Sequence, residues 1–411
     1  MHVLLVGGNR EAHRPFFRHG HDLTFINRRG WFQPADLASG YRQLLAVADD
    51  APLDLWAELA GAMHRTTPFD VVVSVHDNGF AEAAELGRRL GVPCHVDAEL
   101  SRLVLDKSRT RDVLAAAGVE SCRHRVVKEP AALAEAADEI GYPCIVKPVD
   151  SAGSIGVARI DSPADVAAAG LRAGQTDREL IVEEFLAGAE FSVEAISAGR
   201  RHHILAITRK FKKNGTFVEQ GHLVPADLPE DDRRSIEQYV VRVLDALGFH
   251  DCPSHTEVIL TDAGPRLVET HNRLGGDQIV DLVGLVTGVD LYDLVARQSL
   301  GEDIAALLSA QSGAEAFHAE RHAAVWFADP DVPVDLHLTE IAGLDAARAL
   351  PGVVEVQTTV SPGPGHGEVR NSLHRSAWAV ALADTADAAL AAARQAVDTL
   401  RLSYVWRRPA D

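Results

Sequence analysis

Residues 142–157 read YPCIVKPVDSAGSIGV, and how this stretch is parsed decides the fold. Cys144, Ile145 and Val146 form a short apolar run with the character of a buried strand. Lys147 stands at its end, and Pro148 blocks continuation of the ladder. The residues beyond are small: Ser151, Ala152, Gly153 and Ser154, with Gly156 just after. A turn so poor in side chains lets backbone N–H groups approach an anion, while the lysine sets a full positive charge beside it. That is the composition of a phosphate cradle. It is not the Walker kind, which needs Gly-Lys-Ser/Thr at the start of a helix; Gly-Lys occurs nowhere in the chain. Here the lysine precedes the glycines and the chain returns to a strand at Val157–Ile160, which predicts a hairpin whose turn closes over a nucleotide. Taken alone, the stretch fits an ordinary glycine-rich hairpin equally well.

The whole chain narrows the choice. Its 411 residues suffice for two or three packed domains at roughly 100–200 residues each. An apolar share of 46% is that of a soluble globular protein, and a net charge of −19 with no long basic run argues against nucleic acid as a partner. Cys94, Cys122, Cys144 and Cys252 show no CxxC spacing, so they read as buried free thiols and the compartment as cytoplasmic. The opening MHVLLVGGN is too short an apolar run for a signal peptide, and no stretch approaches membrane-spanning length. Lysine is scarce: of 40 Lys and Arg, only Lys107, Lys128, Lys147, Lys210, Lys212 and Lys213 are lysines. Where arginine serves as the generic cation, each lysine is a candidate for a specific role.

In order along the chain, His2–Val6 followed by Gly7-Gly8 reads as a buried strand turning into a helix, the start of an open α/β unit. No third glycine completes GxGxxG, so no dinucleotide site is expected. Further strands are expected at Leu23–Ile26, Val71–Val75 and Val92–Val96, with a helix from about Ala81 to Leu90. The third strand ends in His76-Asp77-Asn78-Gly79, polar residues at the carboxyl end of a parallel strand, where such sheets bind ligands. A helix N-cap by Asp77 or Asn78 is the alternative. Lys107 then opens a helix that ends near Gly118, and an Ala-rich helix covers 130–140.

Two later segments carry chemistry. In Leu180–Glu194 an apolar strand runs into Glu183-Glu184-Phe185-Leu186, a glycine turn, and Glu190 at the head of a strand with strict alternation. In His255–Asp277 two strands joined at Thr261–Gly264 bring Glu257 and Glu269 to adjacent positions. Both interrupt apolar runs, so both are expected half-buried. Two such carboxylates repel unless a cation lies between them, and magnesium is the natural occupant. Arg273 follows before Gly275-Gly276 and offers a rigid fork of donors to a phosphate or carboxylate. Between these segments, Arg209–Gly215 is a basic stretch that reads as a solvated loop or as a lid over a triphosphate.

These segments, in this order over residues 1–300, resemble the ATP-grasp superfamily. The resemblance implies an α/β fold, α+β in its nucleotide-binding part. The domains expected are an N-terminal parallel domain (1–97), a central lid domain (98–185), a C-terminal ATP-grasp domain with the metal site (186–317) and an accessory block (318–411). It implies ATP and Mg2+ as cofactors, with two ions and Mn2+ as substitute. The nucleotide would be held by Lys107, Lys147, Ser151, Gly153 and Ser154, by the adenine linker Glu183, Glu184, Phe185 and Leu186, and by Glu190 at the ribose. Glu257 and Glu269 would be metal ligands. Relatives carry Asn two places after the second glutamate; here that place is His271, with Asn272 one further on as the candidate third ligand.

Within the superfamily the chain looks most like the L-amino-acid ligases of the bacilysin-synthetase type. The reasons are the lid sequence FVEQGHLVPADLP, the Glu-xxx-Arg-x-Gly-Gly-Asp run, and the stretch AGLDAARALPGVVEV in the last block. Glu219 and His222 match the pair that lies at the substrate amino group there, and Lys147 and Arg273 match the catalytic cations. The implied reaction activates a carboxylate as an acyl phosphate and lets an amine attack it, giving an amide, ADP and phosphate. Amino acids are the implied substrates, and dimerisation through the first or last domain is implied as well. A ligase loading an amino acid onto a carrier protein, a biotin- or purine-type carboxylase and a non-catalytic ATP sensor are the alternatives; the presence of both lysines, both glutamates and Arg273 argues against the last.

Overall fold

The computed structural model describes residues 1–8, 10–150, 153–174, 178–311, 320–328, 336–361, 363–364, 372 and 375–406. The chain opens with β1 (His2–Val6), α1 (Arg10–Arg18), β2 (Asp22–Arg28), β3 (Gln43–Val47), α2 (Leu53–Thr66), β4 (Val71–Val73) and α3 (Phe80–Leu90). The strands pair in parallel in the order β3-β2-β1-β4. β1 is buried on both faces, which is why it reads as an unbroken apolar run. Leu4 and Val6 pack with Trp56 and Phe69 on one side, Val3 and Leu5 with Phe16 and Phe25 on the other. The strand expected at Val92–Val96 is reduced to a single bridge, Val72 to Cys94. Gly79 lets the carboxyl ends of β1 and β4 meet: a Cβ there would lie 2.2 Å from the Val6 carbonyl oxygen.

Next come α4 (Ala98–Leu105), α5 (Lys107–Ala116), β5 (His124–Val127), α6 (Leu133–Ile140), β6 (Cys144–Pro148), β7 (Ala158–Ile160), α7 (Val166–Ala173) and β8 (Leu180–Glu184). β6 and β7 form the expected antiparallel hairpin, inside a sheet of order β5-β8-β6-β7. Small residues on the two helices, Ala136, Ala137, Ala169 and Ala173, let them sit close on this sheet. Helices α4 and α5 do not join that core. Leu100, Val104 and Leu114 pack instead on the large sheet that follows.

That sheet is built from β9 (Ala189–Ala198), β10 (Arg201–Lys212), β11 (Glu219–Val224), then after α8 (Glu230–Leu247), β12 (Pro253–Thr261) and β13 (Gly264–His271). α8 buries Ile236, Tyr239, Val240, Val243, Leu244 and Leu247, one helical stripe, against it. The basic stretch is corrected here: Arg209 to Lys212 belong to β10, and only 213–218 form the connection to β11.

After α9 (Ile279–Thr287), α10 (Leu291–Ser299) and α11 (Ala305–Gln311) come β14 (His322–Ala328), β15 (Leu336–Ala342), α12 (Leu344–Arg348), β16 (Val353–Thr358), β17 (Gly363–Pro364), β18 (Ala377–Ala383), α13 (Ala386–Thr399) and β19 (Arg401–Trp406). The last block is not a separate sheet. Among the described residues β14, β18 and β16 extend the large sheet, in the order β13-β12-β9-β10-β11-β14-β18-β16, and only β17-β15-β19 stand apart. Pro362-Gly363-Pro364-Gly365 reads as a turn signal in the sequence, and of these four Pro362 and Gly365 lie outside the described residues. Among the described residues no helix is long and apolar enough to cross a membrane, and all four cysteines are free, with Cys122 and Cys144 buried.

Candidate functional site

One face of the large sheet is polar across five strands. Strand pairing sets Glu190 beside Ile259, Ser192 beside Glu257 and Glu194 beside His255, while Glu257 faces Glu269 and His255 faces His271. On the other side of β9, Thr208 pairs with Ser192, so Thr208, Lys210 and Lys212 share this face. Period-two alternation sends Phe191 and Val193 to the opposite side, into the core with α8. The face is therefore a ladder of carboxylates, imidazoles and lysines, while the underside packs apolar residues around one hydrogen-bonded pair, Thr256 and Thr270.

The two carboxylates expected at a metal are in register, and each has cationic neighbours. Lys107 Nζ lies 3.1 Å from Glu269 Oε2, and His271 Nε2 lies 3.2 Å from Oε1. Lys210 Nζ contacts Glu257, and His255 Nε2 lies 3.2 Å from Glu257 Oε1. Burial alone would raise both carboxyls, but Lys210 and His255 at Glu257, and Lys107 and His271 at Glu269, hold them well below the usual range. Burial likewise disfavours the His255 imidazolium, yet Glu194 Oε1 at 2.8 Å from Nδ1, with Glu257, pushes it up to about 9. Carboxylate oxygens of Glu190, Glu219 and Glu257 lie within 4.8 Å of one another. Hard oxygen donors at this density suit magnesium. Asn272 is not brought to this group: its amide donates to Ser101 Oγ at 2.8 Å, and His271 lies against Glu269 instead.

The linker leaving β8 joins the two antiparallel sheets. Lys147 Nζ lies 2.6 Å from Glu183 Oε2, and Arg111 Nε lies 2.9 Å from Oε1. Burial would raise the Glu183 carboxyl, but Arg111 and Lys147 overcome it and keep the group ionised. Arg111 also donates to the carbonyls of Leu267 (2.8 Å) and Val268 (3.0 Å), tying α5, β8 and β13 together. Glu184 faces away from this group and accepts from the Arg123 N–H and from Arg266, both at 3.1 Å. Phe185 stacks under the Arg159 guanidinium, and Leu186 is half-buried. Glu190 Oε1 lies 3.2 Å from Lys210 Nζ, and its other oxygen contacts Lys212. Ser151 lies outside the described residues. Gly153 and Ser154 both have positive φ, and Ser154 Oγ donates to the Phe217 carbonyl at 2.8 Å, so the glycine-rich turn touches the β10–β11 connection.

Glu219 and His222 are an odd number of residues apart and should face opposite ways. Their partners on β10 are Lys212 and Lys210, and the pairing slips between Phe211 and Lys212. That bulge returns both to the polar face. Gly221 between them has no room for a Cβ, which would fall 2.3 Å from Trp326 Cε3. Glu219 Oε2 accepts from Ser372 Oγ at 3.0 Å. His222 is fully buried, with Nε2 3.5 Å from Asp277 Oδ2 and with Nδ1 lacking a partner among the described residues. Asp277 in turn is gripped by both terminal nitrogens of Arg375, which lies 3.7 Å over the Phe327 ring. Asp277 and Gln278 both have left-handed backbone (φ 55° and 66°), a strained pair directly after Gly275-Gly276.

Arg273 sits at the border with the first sheet. Its Nε donates to Asp77 Oδ2 and its Nη1 to the Leu274 carbonyl at 2.8 Å. Asp77 is thus a partner of Arg273 and not an N-cap; the cap acceptor is the His76 side chain. A cavity of about 220 Å³ opens beside Arg273, lined by Val75, His76, Gly275, Asp281 and Tyr292. Arg111, Asp277 and Arg375 were not singled out for the site from the sequence. Arg111 is one of many arginines, and Arg375 lies in the weakly patterned last block. Lys210 did carry a signal, the scarcity of lysine.

Three family models match the chain: ATP-grasp N-terminal domain over residues 17–94, ATP-grasp domain over 140–281, and L-amino acid ligase C-terminal domain 2 over 337–405. An uncharacterized protein of Sinorhizobium fredii is 28% identical over 376 residues, 89% of this chain and 74% of that one. D-alanine–D-alanine ligase of Pseudomonas putida is 25% identical over 264 residues, 61% of this chain and 81% of that one. Alanine–anticapsin ligase of Bacillus subtilis is 26% identical over 264 residues, 58% of this chain and 54% of that one. Among solved structures, L-amino acid ligase from Bacillus licheniformis superimposes with a TM-score of 0.84 at 21% identity over 98% of each chain, a likeness of fold.

Proposed function

We propose that this chain, which carries ATP-grasp domains and an L-amino-acid-ligase C-terminal domain, is a ligase that joins two amino acids, or an amino acid and another small amine, through an acyl phosphate. The observation that carries this reading is the single polar face on which Glu257 and Glu269 stand in register while a bulge turns Glu219 and His222 the same way.

Lys107 and Lys147, both buried beside carboxylates, would bind the triphosphate, and the backbone from Glu183 to Leu186 would hold the adenine edge. Glu190 would accept the two ribose hydroxyls. Glu257 and Glu269 would hold magnesium, which neutralises charge on the transferring phosphoryl group. Arg273, held by Asp77, would orient the substrate carboxylate and then stabilise the oxyanion formed when the amine attacks. Glu219 would take the ammonium of the second substrate. That amine must lose a proton to become a nucleophile, and Nδ1 of His222, which has no partner among the described residues, would be the base, oriented through Asp277 and Arg375.

The test is phosphate release from ATP and magnesium across pairs of amino acids, with Glu269→Ala as control. Release that needs two amino acids and is lost in the control supports the reading. Nucleotide binding without turnover on any pair speaks against it, and for an acceptor carried on a partner protein.

A further inference from the structure

Lys210 is the best-buried cation of the polar face. Its side chain is 3% exposed, and its Nζ lies 3.2 Å from Glu190 Oε1, 3.2 Å from Glu219 Oε1, and in contact with Glu257 Oε1. Those are the same three carboxylates whose oxygens gather within 4.8 Å of one another. One ammonium therefore joins three groups that, in the ligase reading, belong to three different subsites: ribose, amine and metal. Without a cation among them, three buried carboxylates so close together would not all stay ionised. With the ammonium there, a divalent ion meets a site already neutralised and partly filled.

We propose that Lys210 is the positioning residue of the nucleotide-free enzyme, a resident cation that holds Glu190, Glu219 and Glu257 together and keeps divalent ions out until nucleotide arrives. The inference rests on Glu257 being a metal carboxylate, as in the ligase reading. Two features make the exchange local. Lys210 stands on β10 directly opposite His222 on β11, so its ammonium needs only a change of rotamer to move along the face. Glu190 also has a second lysine, Lys212, so it retains a cation when Lys210 shifts. A ribose at Glu190 and a metal at Glu257 would each take one carboxylate from Lys210. Glu219 is then left as the site for the incoming ammonium of the second substrate. Nucleotide loading and opening of the amine site become one event.

Mn2+ uptake by the full chain, followed by the loss of the free-ion EPR signal, tests this without turnover. Wild type is expected to take up no Mn2+ tightly in the absence of nucleotide and to gain a site when a non-hydrolysable ATP analogue is added. Lys210→Met is expected to bind one Mn2+ without nucleotide, about tenfold or more tighter than wild type, and Lys210→Arg to stay metal-free. A Lys210→Met chain that melts lower and is restored by Mn2+, while wild type does not respond, is the same result read as stability. Wild type that binds Mn2+ tightly without nucleotide overturns the proposal, as does Lys210→Met that neither gains a site nor is restored by the ion. Failure of wild type to gain Mn2+ with the analogue would instead count against the ligase reading itself.

Discussion

Glu219 and His222, three residues apart on one strand, point to the same side because the pairing with β10 slips by one residue at Phe211/Lys212. The slip converts a spacing that ordinarily splits two side chains between faces into a pair on one face. Glu219→Gln should raise KM for one amino acid by about 30-fold or more, the loss of a buried charge partner at about 2 kcal/mol. KM for ATP should change little, and a comparable rise for both substrates would argue against an amine site at Glu219.

Arg111 is the tie between α5, the linker after β8 and the β12–β13 hairpin. Arg111→Met leaves Glu183 buried beside a single lysine and frees two carbonyl oxygens. Breaking a buried pair from one side costs about 3–5 kcal/mol. Denaturant titration should show a midpoint lowered accordingly, with unchanged slope if the native state keeps its compactness.

Arg273, after β13, and Asp77, after β4, form one ion pair. Arg273→Ala should lower kcat by about 10²–10³, the usual loss for one donor to a developing oxyanion. Asp77→Asn keeps the guanidinium but loosens its seat, so the expected loss is smaller and falls mainly on kcat. Equal losses in the two variants would mean that Asp77 contacts substrate itself.

His255 makes stability depend on pH in the alkaline range. Its folded value of about 9 stands above the ordinary 6.5, so protonated His255 contributes stability that is fully present below about pH 6.5 and is lost as pH rises through 9. Melting temperature should fall over that window in wild type. In Glu194→Gln, which removes the largest favourable cause, the slope should flatten.

Much of this site is legible in the sequence because its groups interrupt apolar strands. Glu257 and Glu269 interrupt apolar runs, Lys147 closes one and Glu190 heads another, and their order is enough to line them up once the strands pair. Asp77 was visible for a similar reason, as a polar residue at the end of a buried strand. Register was harder to read. Nothing in the letters of FVEQGHL announces a bulge, so the shared face of Glu219 and His222 came from a resemblance and not from alternation. Lys210 was misread because a run of basic residues next to a glycine suggests a solvated loop, and only pairing with β9 and β11 reveals a buried strand. Arg375 and Asp277 meet across 98 residues, and no local pattern encodes a meeting at that distance.

β11 lies between β10 and β14 in the large sheet, and β14 and β18 come from the last quarter of the chain. The carboxy-terminal segment is therefore no detachable module. A chain cut after α11 would leave Gly221–Val224, His222 among them, as an open edge with unpaired backbone donors and acceptors, close to Glu219. Such an edge recruits other strands, so truncated forms should aggregate before they lose nucleotide affinity. Chimaeras meant to exchange substrate preference with a relative would need junctions that carry β10 through β18 as one inherited piece.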